Sequence, residues 1–184
     1  MKRIFDIVTS LVMLIILSPI LILTAIAIKL DSKGPILFTQ QRVGRLGQEF
    51  SIYKFRSMVQ NSADIGPYYT SNNDVRITKV GNFIRRTSLD ELPQLLNVLK
   101  GEMSVVGPRP NVPVQRKDYS AENWDKRNSV RPGITGLHQA TLRSSATPAQ
   151  RLALDLEYAN NASFFLDLKI ILLTIKQIIL KGGN

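Results

Sequence analysis

The stretch TSLDELPQ sets two carboxylates side by side, Asp90 and Glu91, just inside the start of a leucine-spaced helical segment. Adjacent carboxylates repel each other, and both would sit where a helix dipole favours anions. Such a pair can hold Mg2+, or supply a nucleophile and its partner. A structural reading competes: Ser88-x-x-Glu91 has the spacing of a capping box, in which Glu91 would only close the helix start. Cations lie in short stretches elsewhere: Lys54 and Arg56 in YKFRSM, Arg85 and Arg86 in FIRRTS, and Arg109 in GPRP. Arginine grips phosphate as a planar fork and lysine acts as a point charge. Arg109 is further restricted by a proline on each side. A carboxylate pair among cations suits phosphoryl transfer, which needs neutralised charge and a placed nucleophile.

Other chemistries find less support. His138 is the single histidine of 184 residues and there is no cysteine, so a multi-histidine metal site, a thiolate site and a disulfide framework are all excluded within one chain. Trp124 reads as a packing residue. No glycine-rich phosphate loop, dinucleotide fingerprint or nucleic-acid motif is present. The formal net charge of +10 points to an anionic partner. On charge alone a peripheral protein binding anionic lipid or nucleic acid would serve as well as an enzyme.

The elements that must position these residues follow from pattern. PILFTQQRVGR and EFSIYKFRSM read as two short strands joined by a turn over Gly44–Gly47. Asn61 to Asp74 is polar and punctuated by Gly66 and Pro67, which predicts a loop. Two helical patches follow, the second with leucines at 92, 95, 96 and 99 on one face and Gly101 as its stop. MSVV reads as a short strand, RPGITG as a tight loop, and the chain ends in helices from about Pro148 to Ala159 and Ser163 to Leu180. In the last helix Asp167, Thr174, Gln177 and Lys181 form a narrow polar stripe, and Asp167, Lys169 and Lys176 argue against a span. It suits either a core helix or one lying in a membrane interface.

Ile7 to Ile28 holds 22 residues without a charge. As one straight helix it would be about 33 Å long, enough to cross a bilayer core of about 30 Å. Pro19 forbids that straight helix, and Ser18 can satisfy a carbonyl freed at the bend. Lys2 and Arg3 precede the segment and Lys29, Lys33, Arg42 and Arg45 follow it, so both ends favour the cytoplasmic side. A kinked span is the competing reading. A signal peptide fits poorly, because the apolar run is long and Asp6 precedes it.

Together, SP in the apolar segment, FTQQRVG, YKFRSM, TSLDELPQLLNVLKGEMSVVGPRP, RPGITGL and SFFLDLK resemble the small monotopic phosphoglycosyl transferases, the bacterial sugar transferase family. The resemblance covers nearly the whole chain, and Thr87 to Pro110 is its most specific part. It implies an α+β fold: a compact mixed catalytic domain over residues 31–184 with amphipathic interfacial helices, carried by a re-entrant membrane helix over residues 1–30 broken at Ser18-Pro19. It implies transfer of a sugar-1-phosphate from a UDP-sugar to undecaprenyl phosphate with Mg2+, releasing UMP, on the cytoplasmic face of the bacterial inner membrane. Membrane lipids are then the expected surroundings, and nucleic acid is not an expected partner. By motif match Asp90 is the nucleophile of a covalent phosphosugar intermediate, and Glu91 helps hold the metal or assists the lipid phosphate. Arg85 and Arg109 resemble phosphate contacts, and Lys54 a basic residue near the site. One departure is plain: members often read GLAQVNGRN where this chain reads GLHQATLRSS. Gln139 and Arg143 align as substrate contacts, whereas His138 and the missing Asn-Gly leave the sugar unassigned.

Overall fold

The computed structural model describes residues 1–66, 74–142 and 145–181. The apolar segment forms two helices, α1 (Lys2–Ile16) and α2 (Ser18–Asp31), bent by 63° at Leu17. Pro19 falls in the first turn of α2, where its missing N–H costs nothing. The Ser18 hydroxyl donates to the Ile15 carbonyl at 2.8 Å, as the bend requires. Among the described residues no single helix is long and apolar enough to cross a membrane; the bent pair passes only when taken together.

β1 (Leu37–Val43) and β2 (Glu49–Phe55) form the expected antiparallel ribbon, in register from Leu37↔Phe55 to Val43↔Glu49. Leu46 and Gly47 turn the chain at φ 56° and 78°. Within the predicted loop a short helix, α3 (Ser62–Ile65), forms; residues 67–73 lie outside the described part. α4 (Lys79–Arg86) starts at the Thr78 cap and α5 (Gln94–Lys100) stops at Gly101, at φ 88°. Gly81 lets α4 lie against the exit of β2, since a Cβ there would stand 2.0 Å from the Ser57 carbonyl oxygen.

β3 (Ser104–Val106) pairs in parallel with β4 (Gly133–Thr135), so RPGITG is not simply a loop. Its glycine serves backbone approach: a Cβ on Gly133 would meet the Gly107 amide at 2.1 Å. The remaining helices are α6 (Ala121–Arg127), α7 (Leu137–Thr141), α8 (Pro148–Asn161) and α9 (Phe164–Lys181). The fold is therefore mixed α+β with two small sheets.

Three apolar clusters hold it together. Val106, Leu137, Ala140, Tyr158 and Ile170 form one; Phe50, Ile52, Val98 and Met103 another. Ile28, Phe55 and Ile84 make the third, joining α2 to the ribbon and α4. α9 contributes Ile170 to the core, and polar side chains share its inward face. Thr174 bonds Thr135 at 2.7 Å and Gln177 reaches the Ala140 carbonyl, while Phe165 and Leu172 are exposed. Asp167 is buried, where it accepts from Lys2 at 2.5 Å and from the Tyr158 hydroxyl at 2.7 Å. Burial, reinforced by the Asp167 hydrogen bond and charge, pushes the Tyr158 hydroxyl well above its ordinary pKa, so it stays protonated; it donates to Asp167 and accepts from Lys2 at 3.3 Å.

Both ends of the bent pair are fastened to the rest of the fold. At the start of α1, Arg3 donates to the Val98 and Leu99 carbonyls, and Asp6 accepts from the Ser104 hydroxyl and the Val105 amide, both at 3.0 Å. At the end of α2, Asp31 accepts from the Val80 amide at 3.0 Å, and Arg56 donates to the Ser32 carbonyl at 2.7 Å.

Candidate active site

Asp90 and Glu91 lie in a 3-10 turn, Leu89–Glu91, ahead of α5. The expected capping box is absent. Ser88 has φ 58° and no side-chain cap bond, so only its carbonyl accepts, from the Glu91 amide at 3.2 Å. A left-handed non-glycine residue costs free energy. Here it turns the chain so that Glu91 faces away from the helix start.

Glu91 is held by cations from two other elements. Lys54, on β2, donates to Oε1 at 2.7 Å. Arg109, on the loop after β3, donates to Oε1 at 2.8 Å and to Oε2 at 3.5 Å. Burial alone would raise the Glu91 pKa, but the Arg109 and Lys54 charges and hydrogen bonds hold it well below the usual carboxylate range. Its Arg109 partner is correspondingly raised, chiefly by the Glu91 charge. Burial lowers Lys54 in spite of Glu91.

Asp90 is treated differently. It is 8% exposed, and among the described residues no group donates a hydrogen bond to its carboxylate. Burial, then the Glu91 charge, push it up to about 6 against the pull of Lys54, Arg85 and Arg109. Two neighbouring carboxylates thus have opposite characters: one locked as an anion, one uncommitted and ionised only above about pH 6.

The other sequence candidates divide. Arg85 donates to the Ser57 hydroxyl at 2.7 Å and lies close enough to Asp90 for their charges to interact; burial lowers its pKa. Arg56, one residue past the end of β2, is turned to the end of α2, bonding Ser32 and the Ile28 carbonyl, although alternation alone would put it on the Lys54 face. Its expected phosphate contact is replaced by a structural one. Gln139 donates to the Ile134 carbonyl at 3.3 Å, on α7. Arg143 lies outside the described residues. Ser18 and Pro19 occupy the bend of the apolar pair. Trp124 packs against Tyr119, as a packing residue should.

Two features were not singled out from the sequence. Arg42, at the end of β1, donates to the carbonyl of Pro110 at 3.1 Å, next to Arg109. Alternation along the strands was the available signal, since it puts Arg42 and Lys54 on one ribbon face. The second is a buried chain of bonds: His138 to Asp155 at 2.8 Å, Asp155 to Arg127 at 2.8 Å, and Arg127 to the Arg109 carbonyl at 2.5 Å. It fixes the Arg109 backbone, and no local spacing announces it.

Among the described residues no cluster of three or more His, Asp or Glu side chains could cage a metal. Mg2+ does not need one, because it is commonly held by one or two carboxylates and substrate phosphates. Glu91 Oε2, with only the long Arg109 contact, and the unpartnered Asp90 are the oxygens that fit this role.

Residues 1–181 match the sequence model of the bacterial sugar transferases. The chain is 47% identical, over 96% of its length, to an undecaprenyl-phosphate glucose phosphotransferase of Komagataeibacter xylinus, and spans 35% of that relative. It is 44% identical over 99% of its length to an exopolysaccharide production protein of Rhizobium leguminosarum bv. phaseoli, of which it spans 96%. It is 42% identical over its full length to an undecaprenyl-phosphate galactose phosphotransferase of Salmonella typhimurium, spanning 41% of it.

Proposed function

The chain belongs to the bacterial sugar transferase family, and from that premise we propose that it is a phosphoglycosyl transferase working at a membrane surface. Its donor is a UDP-sugar and its acceptor undecaprenyl phosphate. The observation that carries this reading is the division of labour between the adjacent carboxylates: Glu91 clamped by Lys54 and Arg109, Asp90 buried and, among the described residues, without a hydrogen bond.

An unpartnered carboxylate keeps its lone pairs for attack. Asp90 Oδ attacks the sugar-bearing phosphorus of the donor. The bond from that phosphorus to the bridging oxygen breaks, and UMP leaves with the electron pair. An oxygen of undecaprenyl phosphate then attacks the same phosphorus and releases Asp90 as a carboxylate. Two steps let a soluble donor and a lipid acceptor use one site in turn. Arg109 and Arg85 neutralise phosphate charge, and Glu91 keeps Lys54 and Arg109 in place. Mg2+, held by Glu91 and Asp90 with donor phosphates, supplies further charge neutralisation when bound.

The bent apolar pair serves as a re-entrant anchor, entering one leaflet and returning. The ties of Lys2, Arg3 and Asp6 at one end and Asp31 at the other support this reading, because they bring both ends to one domain. On this reading the domain lies at the cytoplasmic face of the inner membrane, with the exposed Phe165 and Leu172 of α9 toward lipid. The relatives differ in the sugar their names carry, glucose or galactose, so the donor is proposed only as a class.

The test is intact mass after incubation with UDP-sugars and Mg2+ in the absence of acceptor. A phosphosugar adduct on the parent and none on Asp90→Asn is the expected result. No adduct and no UMP release with any donor would overturn the proposal.

A further inference from the structure

The cations around Asp90 and Glu91 outnumber them. Lys54, Arg85 and Arg109 interact with both carboxylates, and Arg42 interacts with Glu91. With Asp90 ionised, these four cations stand around two carboxylates, and Arg85 shares its charge with Asp74 as well. Like charges gathered at one site repel, and an anionic ligand relieves that repulsion. Arg42 is the least explained of the four. It donates once to the Pro110 carbonyl and once to Gln40 Oε1, while its buried Nε has no partner. Two of its five N–H donors are thus used, both on neutral groups. Burial and the neighbouring Arg109 charge bring it down to about 10, so its charge is held at a cost.

Its position says which phosphate it would meet. The ribbon leaves the apolar pair at Leu37, and Arg42 lies five residues further along, about 17 Å at strand spacing. Lys54 pairs with Phe38 near the membrane-side end, and Arg42 is on the same face toward the far end. A lipid phosphate approaches from the membrane side, a soluble nucleotide from the other.

We propose that Arg42 is a substrate-binding residue of the donor half-reaction, a fork for the diphosphate of the nucleotide sugar on the membrane-distal side of Lys54 and Arg109. The assignment rests on the phosphoglycosyl transferase reading. A diphosphate diester carries two negative charges at neutral pH, the counter-charge that the buried and only partly bonded Arg42 guanidinium lacks.

The experiment uses the full chain in detergent micelles. Turnover of the parent with a UDP-sugar and undecaprenyl phosphate is measured first. If the parent turns over no donor, the functional reading fails and Arg42 falls with it. Otherwise UDP and uridine are titrated by calorimetry against Asp90→Asn, alone and combined with Arg42→Gln or Arg42→Lys. A charge-assisted fork is worth roughly 10- to 100-fold in affinity. Arg42→Gln is expected to weaken UDP by that factor and leave uridine unchanged, with Arg42→Lys in between. Unchanged UDP binding would overturn the proposal. So would equal losses for UDP and uridine, which would mean that Arg42 only props the Pro110 loop, or a change confined to the KM for undecaprenyl phosphate. If neither variant folds, phenylglyoxal labelling of the parent decides: UDP, but not uridine, should protect Arg42, and labelling indifferent to UDP would reject the assignment.

Discussion

Replacing Asp90 by asparagine should make the protein more stable while abolishing its chemistry. The Asp90 pKa rises from 3.8 to about 6 on folding, and about two units at roughly 1.4 kcal/mol each correspond to about 3 kcal/mol. The sign follows from proton binding. Between pH 4 and 6 the native state holds this proton and the unfolded state releases it, so the Asp90 contribution to stability is full at low pH and lost as pH rises through about 6. Asparagine carries no charge and escapes that loss, but its buried amide lacks a partner, which costs about 1–2 kcal/mol. The net gain is about 1–2 kcal/mol at pH 7.5, or roughly 3–6 °C in Tm for a chain of 184 residues. Thermal unfolding of parent and Asp90→Asn, without donor or Mg2+ and followed by Trp124 fluorescence in one detergent at pH 7.5 and pH 5, measures it. The gap should shrink or reverse at pH 5. A variant no more stable than the parent at pH 7.5, or a gap equal at both pH values, would refute the reasoning. UMP release by Asp90→Asn should fall at least about 100-fold.

Glu91→Gln should move stability the other way, because it leaves Lys54 and Arg109 without their anion; a loss of about 2 kcal/mol is expected in the same unfolding assay, with UMP release down by a similar factor to Asp90→Asn. Gly81→Ala, which drives a Cβ toward the Ser57 carbonyl oxygen, should cost about 2 kcal/mol or more and lower activity by displacing the helix that carries Arg85; normal activity in a stably folded variant would contradict it. Single cysteines placed at Met1 and at Lys33 should both react with an impermeant thiol reagent from the cytoplasmic side of inside-out vesicles; labelling of Met1→Cys only from the opposite side would restore a kinked span.

Much of this was legible because it is local. Pro19 dictates a break within its own turn, Gly101 needs a left-handed backbone, and strand alternation with a Gly44–Gly47 turn specifies the β1–β2 ribbon. The acid pair and Lys54, Arg85 and Arg109 were visible as residue types, and the structure brings them together. What was hidden depends on contacts distant in sequence. β4 is three residues long and pairs only because Gly107 and Gly133 permit two backbones to touch, so its glycines read as a turn. The Ser88 spacing satisfied a capping rule, but the left-handed backbone there overrode it. Arg56 and Arg42 look alike in sequence and share strand parity; Arg56 lies just past the end of β2, where α2 ends and Ser32 accepts from it, and Arg42 lies beside Arg109. The inner face of α9 is part apolar, through Ile170, and part polar, because Thr135 and the Ala140 carbonyl offer Thr174 and Gln177 partners that no helical wheel of that segment contains.

The bond between Lys2 and Asp167 joins residues 165 positions apart. A ribosome working at about 5–20 residues per second makes the first of them roughly 10–30 s before the second. During that interval the leading apolar helices are already synthesised, while α9, which supplies the Lys2 counter-ion and part of the Tyr158 cluster, does not exist. Until α9 is made, Lys2 at the start of the bent pair has no Asp167 to pair with, and Tyr158 lacks the same partner. Closing this contact therefore waits for α9, and a chain cut short before α9 would lack the Lys2–Asp167 latch.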